Sequence, residues 1–178
     1  MYHEDYFRKQ LPFQPENPQH CGPGPYYITI CTNGHECNLA EIVNHRLILS
    51  PVGQITSVCW KGISDDYGNI VLDEFVIMPN HLHGIVRILE NNLRKYSNDP
   101  DSADEHLPHK RPKEISIEKI IWNFKTKSSN FIRQEEYGGF QWKWSNYIYF
   151  IRNSADLYRI KNYIQTNPFN WNIDPDNI

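Results

Sequence analysis

The chain has 178 residues, 39% of them hydrophobic, and a net charge of −3. That is enough for a real core in one domain, and the charge argues against indiscriminate nucleic-acid binding. No apolar run approaches bilayer length and the polar N-terminus lacks signal-peptide shape, so a cytoplasmic protein with no membrane partner is expected. Cys21, Cys31, Cys37 and Cys59 form no Cys-x-x-Cys pair and read as reduced thiols, not as a zinc site or a disulfide frame.

Residues 1–25, with Pro12, Pro15, Pro18, Pro23 and Pro25, read as an irregular arm. Tyr26–Thr32 is rich in β-branched and aromatic residues and is the first predicted strand. Asn33-Gly34 marks a turn, and Leu39–Val43 with Arg46–Leu49 form a short hairpin around Asn44-His45. Ser50 is a predicted N-cap before a first-turn proline, Pro51. The helix runs to about Ile63 with Val52, Ile55, Cys59 and Ile63 on its buried face. Asp65–Asn69 then turns the chain into a strand over Ile70–Met78.

A second strand, 81–89, follows across Pro79-Asn80. Period two sends Leu82, Gly84, Val86 and Ile88 one way and His81, His83, Ile85, Arg87 and Leu89 the other. Two imidazoles side by side can reach one divalent cation or one phosphate. The same spacing also arises from two surface histidines after a Pro-Asn turn. Both are expected to be exposed, so that their removal leaves the fold intact.

Residues 90–113 read as a long mobile loop, acidic first and then Pro- and Lys-rich. Glu90–Glu105 carries a net −3, whereas His106–Glu135 carries +4, a stretch that can track a phosphate backbone or simply be a solvated face. Ser116 caps the next helix, whose stripe is Ile117, Ile120, Ile121, Phe124, Ser128 and Phe131. Gly138-Gly139 ends that unit and Tyr147–Ile151 is the next strand. The last helix starts at Asn153 or Ser154, buries Leu157, Ile160 and Ile164, and stops by Asn167 because Pro168 disfavours helix before it. Residues 172–178 form a tail. The order suits an α+β domain, an antiparallel sheet with helices packed on it.

The stretch Asp73–Ile85, containing Met-Pro-Asn-His-Leu-His-Gly, resembles the His-hydrophobic-His signature of the single-tyrosine HUH transposases. Within that group it is most similar to the REP-associated tyrosine transposases. Tyr26–Thr32, Ile121–Thr126 and Ile151–Pro168 fit the same family in the same order, so the resemblance spans 26–171. It implies a ferredoxin-like fold and a transposase or nickase that cleaves and rejoins single-stranded DNA, as a hairpin or repeat, through a 5′-phosphotyrosine. It further implies Tyr163 as nucleophile and His81, His83 and Asn167 as ligands of Mg²⁺ or Mn²⁺. A homodimer is one assembly it allows. On their own residues, Arg159, Tyr163 and Asn167 share a helical face beside the buried stripe, where Tyr163 reads as packing and Asn167 as a C-cap.

The implied chemistry is coherent. A phenol with pKa near ~10 is a poor nucleophile, and a cation can neutralise charge on the phosphate and on the leaving 3′ oxygen. Two imidazoles hold Mn²⁺, Co²⁺ or Ni²⁺ better than Mg²⁺. Lys125, Lys127, Arg152 and the aromatics Trp142 and Trp144 are candidate strand contacts, each readable equally as a solvated cation or a core tryptophan. Relatives often carry Asp-His where this chain has Ile148-Tyr149, which puts activity in question. The alternatives are a domesticated, non-cleaving hairpin-binding protein of the same fold and a small metalloprotein with a structural Tyr163.

Overall fold

The computed structural model describes residues 22–44, 46–90 and 115–177. Most of the expected arm (1–25) and of the expected mobile loop (90–113) lies outside those residues, and the arm's last two residues, Gly24 and Pro25, belong instead to the first strand. Strand β1 (Gly24–Cys31) leads through a 3-10 turn at Asn33–His35 into a hairpin of β2 (Ala40–Val43) and β3 (Arg46–Leu49). Helices α1 (Pro51–Lys61) and α2 (Ile63–Asp66) follow, then β4 (Ile70–Ile77), β5 (His81–Ile88), α3 (Ile117–Gln134), β6 (Tyr147–Phe150) and α4 (Ser154–Thr166). A 3-10 helix, Asn167–Ile173, continues from α4. The main sheet is antiparallel in the order β4-β5-β1-β6, the ferredoxin-like α+β arrangement expected from the sequence.

Local chemistry explains the helix starts. Ser50, Ser116 and Asn153 each accept a hydrogen bond from a backbone amide in the first turn, from Gly53, Lys119 and Asp156 respectively. The expected single helix from Pro51 to Ile63 is two, because the chain turns at Gly62 before α2 begins. On α3 the structure buries Ile132 and leaves Phe131 47% exposed, reversing the expected stripe there. Helical periodicity places both beside the stripe's axis, so tertiary packing decides.

The two sheet faces differ. Ile28, Ile30, Leu82, Val86 and Ile88 pack with Trp60 of α1 and Ile120, Ile121 and Phe124 of α3 in one apolar core. Trp60 lies against Phe124 edge to face, ring centroids 5.3 Å apart. A Cβ at Gly84 would stand 2.3 Å from Trp60 Cζ2, so only glycine admits the indole there. On the other face Tyr27, Ile85, Tyr149 and Ile151 pack under Ile160 and Ile164 of α4. A bulge between Leu72 and Phe75 of β4 carries Asp73 and Glu74. Asp73 pairs with Lys161 at 2.5 Å and Glu74 accepts from Gln165 at 3.1 Å, seating α4 on that edge. Among the described residues Cys31, Cys37 and Cys59 form no disulfide, and no helix is long and apolar enough to cross a membrane.

Candidate metal centre and neighbouring tyrosine

The strand register builds the centre's floor. Thr29 lies opposite His83 and Cys31 opposite His81 on paired β1 and β5, so one face carries Tyr27, Thr29, His81 and His83 together. His83 Nδ1 lies 2.9 Å from both Tyr27 Oη and Thr29 Oγ1. His81 Nδ1 lies 2.8 Å from Asn80 Oδ1. With both Nδ1 atoms engaged from the strand side, the Nε2 atoms are the ones turned toward the acidic groups described next. The expectation of exposed histidines is corrected: His81 is 0% and His83 1% exposed. The covering comes from α4 and the 3-10 helix after it, which strand periodicity alone does not reveal.

Tyr163 of α4 brings its hydroxyl to 3.4 Å from His83 Nε2 and donates to Asp174 Oδ2 at 3.2 Å. Asn167, one turn on, donates through Nδ2 to the same Oδ2 at 2.5 Å. Asp174 Oδ1 accepts from the Asp176 amide at 2.7 Å. His81 Nε2 and His83 Nε2 each lie 4.0 Å from Asp174 Oδ2. The structure thus brings His81, His83, Tyr163 and Asn167 together, and adds Asp174 and Asp176, which sequence reasoning left in a tail. Only the Asp-Pro-Asp spelling after Trp171 hinted at them, and acidic residues near a chain end are common.

The electrostatics follow from this enclosure. Burial, then the charges of Asp174 and Asp176 and the hydrogen bond to Asp174, push the Tyr163 phenol well above its ordinary value. Burial also raises Tyr27, with Tyr163 adding to it. For Asp174 burial works upward, yet the two imidazoles beside it win and hold its carboxyl well below the usual range. At 4.0 Å those contacts are too long for hydrogen bonds.

One ligand atom from each of His81, His83, Asp174 and Asp176 lies within 4.8 Å of the others, and all four residues are buried. Nitrogen and oxygen ligands at ~2.0–2.4 Å from a common ion sit within roughly 4–5 Å of one another, so the set can hold a divalent cation after little contraction. Asn167 Oδ1, buried and with no hydrogen-bond partner among the described residues, adds an oxygen donor beside them. The donor set fits a metal.

The candidate strand contacts lie elsewhere. Lys125 Nζ donates to the carbonyls of Lys143, Trp144 and Ser145 and to Asn146 Oδ1 at 2.8–3.4 Å, and burial lowers its pKa to about 8. It clasps the 143–146 turn, and contact with a strand would require it to release these groups. Lys127 pairs with Asp66 at 2.8 Å on the surface, and Arg152 is exposed ahead of α4. Trp142 is half-buried against the core, its Nε1 donating to Ser128 Oγ at 2.9 Å, whereas Trp144 is 92% exposed. Tyr149, at one of the positions that departs from the family pattern, is fully buried and donates to Asp156 at 3.2 Å.

The fold is shared with a solved structure. The chain matches a REP-associated tyrosine transposase solved bound to a REP hairpin, with TM-score 0.57 over 89% of this chain and 74% of that one. At 16% identity this likeness is one of fold. The chain is also 34% identical over 151 residues to an uncharacterized protein of Haemophilus influenzae, covering 85% of this chain and 83% of that protein. It belongs to the family of that Haemophilus protein. No protein-family model matches it.

Proposed function

We propose that the protein is a metal-dependent nickase and strand transferase of single-stranded DNA, a transposase of the single-tyrosine HUH kind with Tyr163 as nucleophile. The observation that carries this reading is the phenol of Tyr163 lying 3.4 Å from His83 Nε2 inside a four-residue cluster fit for a cation. The hairpin-bound transposase of the same fold supports a DNA hairpin as the substrate.

Mg²⁺ or, better suited to this nitrogen and oxygen set, Mn²⁺ held by His81, His83, Asp174 and Asp176 with Asn167 beside them would supply Lewis-acid polarisation of the scissile phosphate. Tyr163 Oη forms a bond to phosphorus as the bond from phosphorus to the 3′ oxygen breaks. The phenol proton goes to solvent, while Asp174 Oδ2, its hydrogen-bond acceptor at 3.2 Å, holds the phenol oriented. The 3′ oxygen leaves with a proton from solvent as a free hydroxyl, and the 5′ phosphate stays on Tyr163. Attack by another strand's 3′ hydroxyl reverses these steps, with the phosphotyrosine conserving the bond energy. Asn167 Nδ2 and the Asp176 amide hold the Asp174 carboxylate in place for its part. Lys127 and Arg152 are strand contacts in this reading, while Lys125 shapes the turn that presents Trp144.

One feature favours a non-cleaving hairpin binder of the same fold: burial and the carboxylates of Asp174 and Asp176 push the Tyr163 phenol up, away from the phenolate that would attack. A labelled hairpin oligonucleotide with single-stranded flanks, incubated with the protein and Mn²⁺, separates the two. The nickase gives an adduct that survives a denaturing gel; the binder gives only a complex that denaturation dissolves.

A further inference from the structure

Asn80 sits in the Pro-Asn turn before the histidine strand and does more than turn the chain. It is 0% exposed, and its backbone carbonyl and both ends of its side-chain amide are engaged. Its carbonyl accepts from the Thr32 amide at 2.8 Å and from Thr32 Oγ1 at 3.0 Å. Its Nδ2 donates to the backbone carbonyl of Asp176 at 2.8 Å, and its Oδ1 lies 2.8 Å from His81 Nδ1. The first of these side-chain contacts fixes the second. A backbone carbonyl can only accept, so the amide nitrogen must face Asp176, and the oxygen must face His81. An amide oxygen likewise only accepts, so His81 Nδ1 must carry the proton.

His83 is held differently. Its Nδ1 faces the hydroxyls of Tyr27 and Thr29, and a hydroxyl rotates to donate or to accept. The two histidines therefore differ: one imidazole is fixed by its neighbour, the other is supported in either tautomer.

We propose that Asn80 is the positioning residue of the metal centre: it locks His81 in the Nδ1–H tautomer, with the Nε2 lone pair ready for a cation, and pins the carboxylate-bearing segment over that lone pair. The proposal rests on the metal-site part of the function given above and not on DNA cleavage. The same side chain joins the first ligand of β5 to the backbone that carries the two acids, so strand and C-terminal segment come together as one unit. Supporting groups of this kind change metal affinity by roughly 10–100-fold when removed.

The test reads the tautomer directly, with neither metal nor DNA present. Full-length protein labelled with ¹⁵N-histidine is treated with chelator at pH 8.5, where an ordinary imidazole of pKa near ~6.5 is neutral. Two-bond ¹H–¹⁵N spectra, with His81→Gln assigning the resonance, should show the His81 proton on Nδ1. Asn80→Asp keeps an acceptor toward His81 but removes the donor toward Asp176. It should keep the tautomer and speed hydrogen exchange in the peptide spanning 167–177. Asn80→Ala should lose both, mixing the tautomers, and weaken Mn²⁺ binding by about 10–100-fold. A wild-type His81 protonated on Nε2 overturns the proposal before any variant is made. So does an Asn80→Asp protein whose C-terminal exchange is unchanged. Neither result bears on whether Tyr163 cleaves DNA, so this idea and the cleavage reading fail separately.

Discussion

The two faces of the main sheet are built from the same strands and treat burial in opposite ways. Toward α1 and α3, the strands present Ile28, Ile30, Leu82 and Val86, and the buried helix residues answering them are mostly apolar. Toward α4 and the 3-10 helix, the strands present Thr29, His81 and His83, answered by Tyr163, Asn167, Asp174 and Asp176. Buried apolar groups stabilise by leaving water, at about 25 cal/mol per Å². Buried polar groups must find partners or lose free energy. Gly84 shows both demands in one motif, its missing Cβ admitting Trp60 on one face while its neighbour His83 serves the other. The contrast teaches that one face is almost wholly apolar, whereas the other joins a smaller apolar cluster under Ile160 and Ile164 to the polar centre, and it can be broken one face at a time.

The largest loss of stability should come from the apolar face. Trp60→Ala should lower the unfolding free energy by about 3–5 kcal/mol, and Gly84→Ala, which drives a methyl into the indole, by about 1–3 kcal/mol. Urea denaturation measures both, and Mn²⁺ affinity of the folded fraction should stay near wild type. Substitution on the polar face should do the reverse. Asp174→Asn, His81→Ala or His83→Ala should weaken Mn²⁺ binding by at least ~10-fold in calorimetry. The histidine variants should also lose about 1–3 kcal/mol, because their buried partners are stranded. Equal Mn²⁺ binding by wild type and the double histidine variant would place the metal elsewhere.

A smaller effect should appear at the clasp between α3 and the 143–146 turn. Burial lowers Lys125 to about 8, whereas an unfolded lysine titrates near ~10.4. Between those values the unfolded chain binds more protons than the folded one, so the residue's contribution to stability rises with pH. The penalty of holding the charge in a buried place is present below 8 and is relieved above it. The stability of wild type relative to Lys125→Met should therefore rise from pH 8 to pH 10, as followed by thermal melts. A relative stability that falls over that range contradicts this.

Much of the architecture was legible because it is written in local spacing. Period two sorted His81 and His83 from Leu82, Gly84 and Val86, and the structure keeps that division. Ser50, Ser116 and Asn153 announced their helices by cap chemistry. Tyr163 and Asn167 stood one turn apart on a shared face. What stayed hidden depends on distant chain: the histidines look solvent-facing until α4 covers them, and Asp174 and Asp176 acquire meaning only when the 3-10 helix folds them back over β5. The histidines they meet, His81 and His83, are some ninety residues away in sequence. Lys125 likewise reads as a surface cation until three carbonyls from the turn before β6 surround it.

The central claim is that the Tyr163 phenol, set against this buried cluster, is the nucleophile. The measurement is formation of a denaturation-resistant adduct with a labelled hairpin oligonucleotide and Mn²⁺, comparing wild type with Tyr163→Phe. The substitution removes one oxygen and keeps the ring against His83, at present 5.2 Å between centroids. The account predicts an adduct for wild type, none for Tyr163→Phe, and equal hairpin affinity for both. An adduct that persists in the Phe variant would assign the chemistry to another tyrosine, and a wild type that forms none on any hairpin tried would leave a binding protein in place of a nuclease.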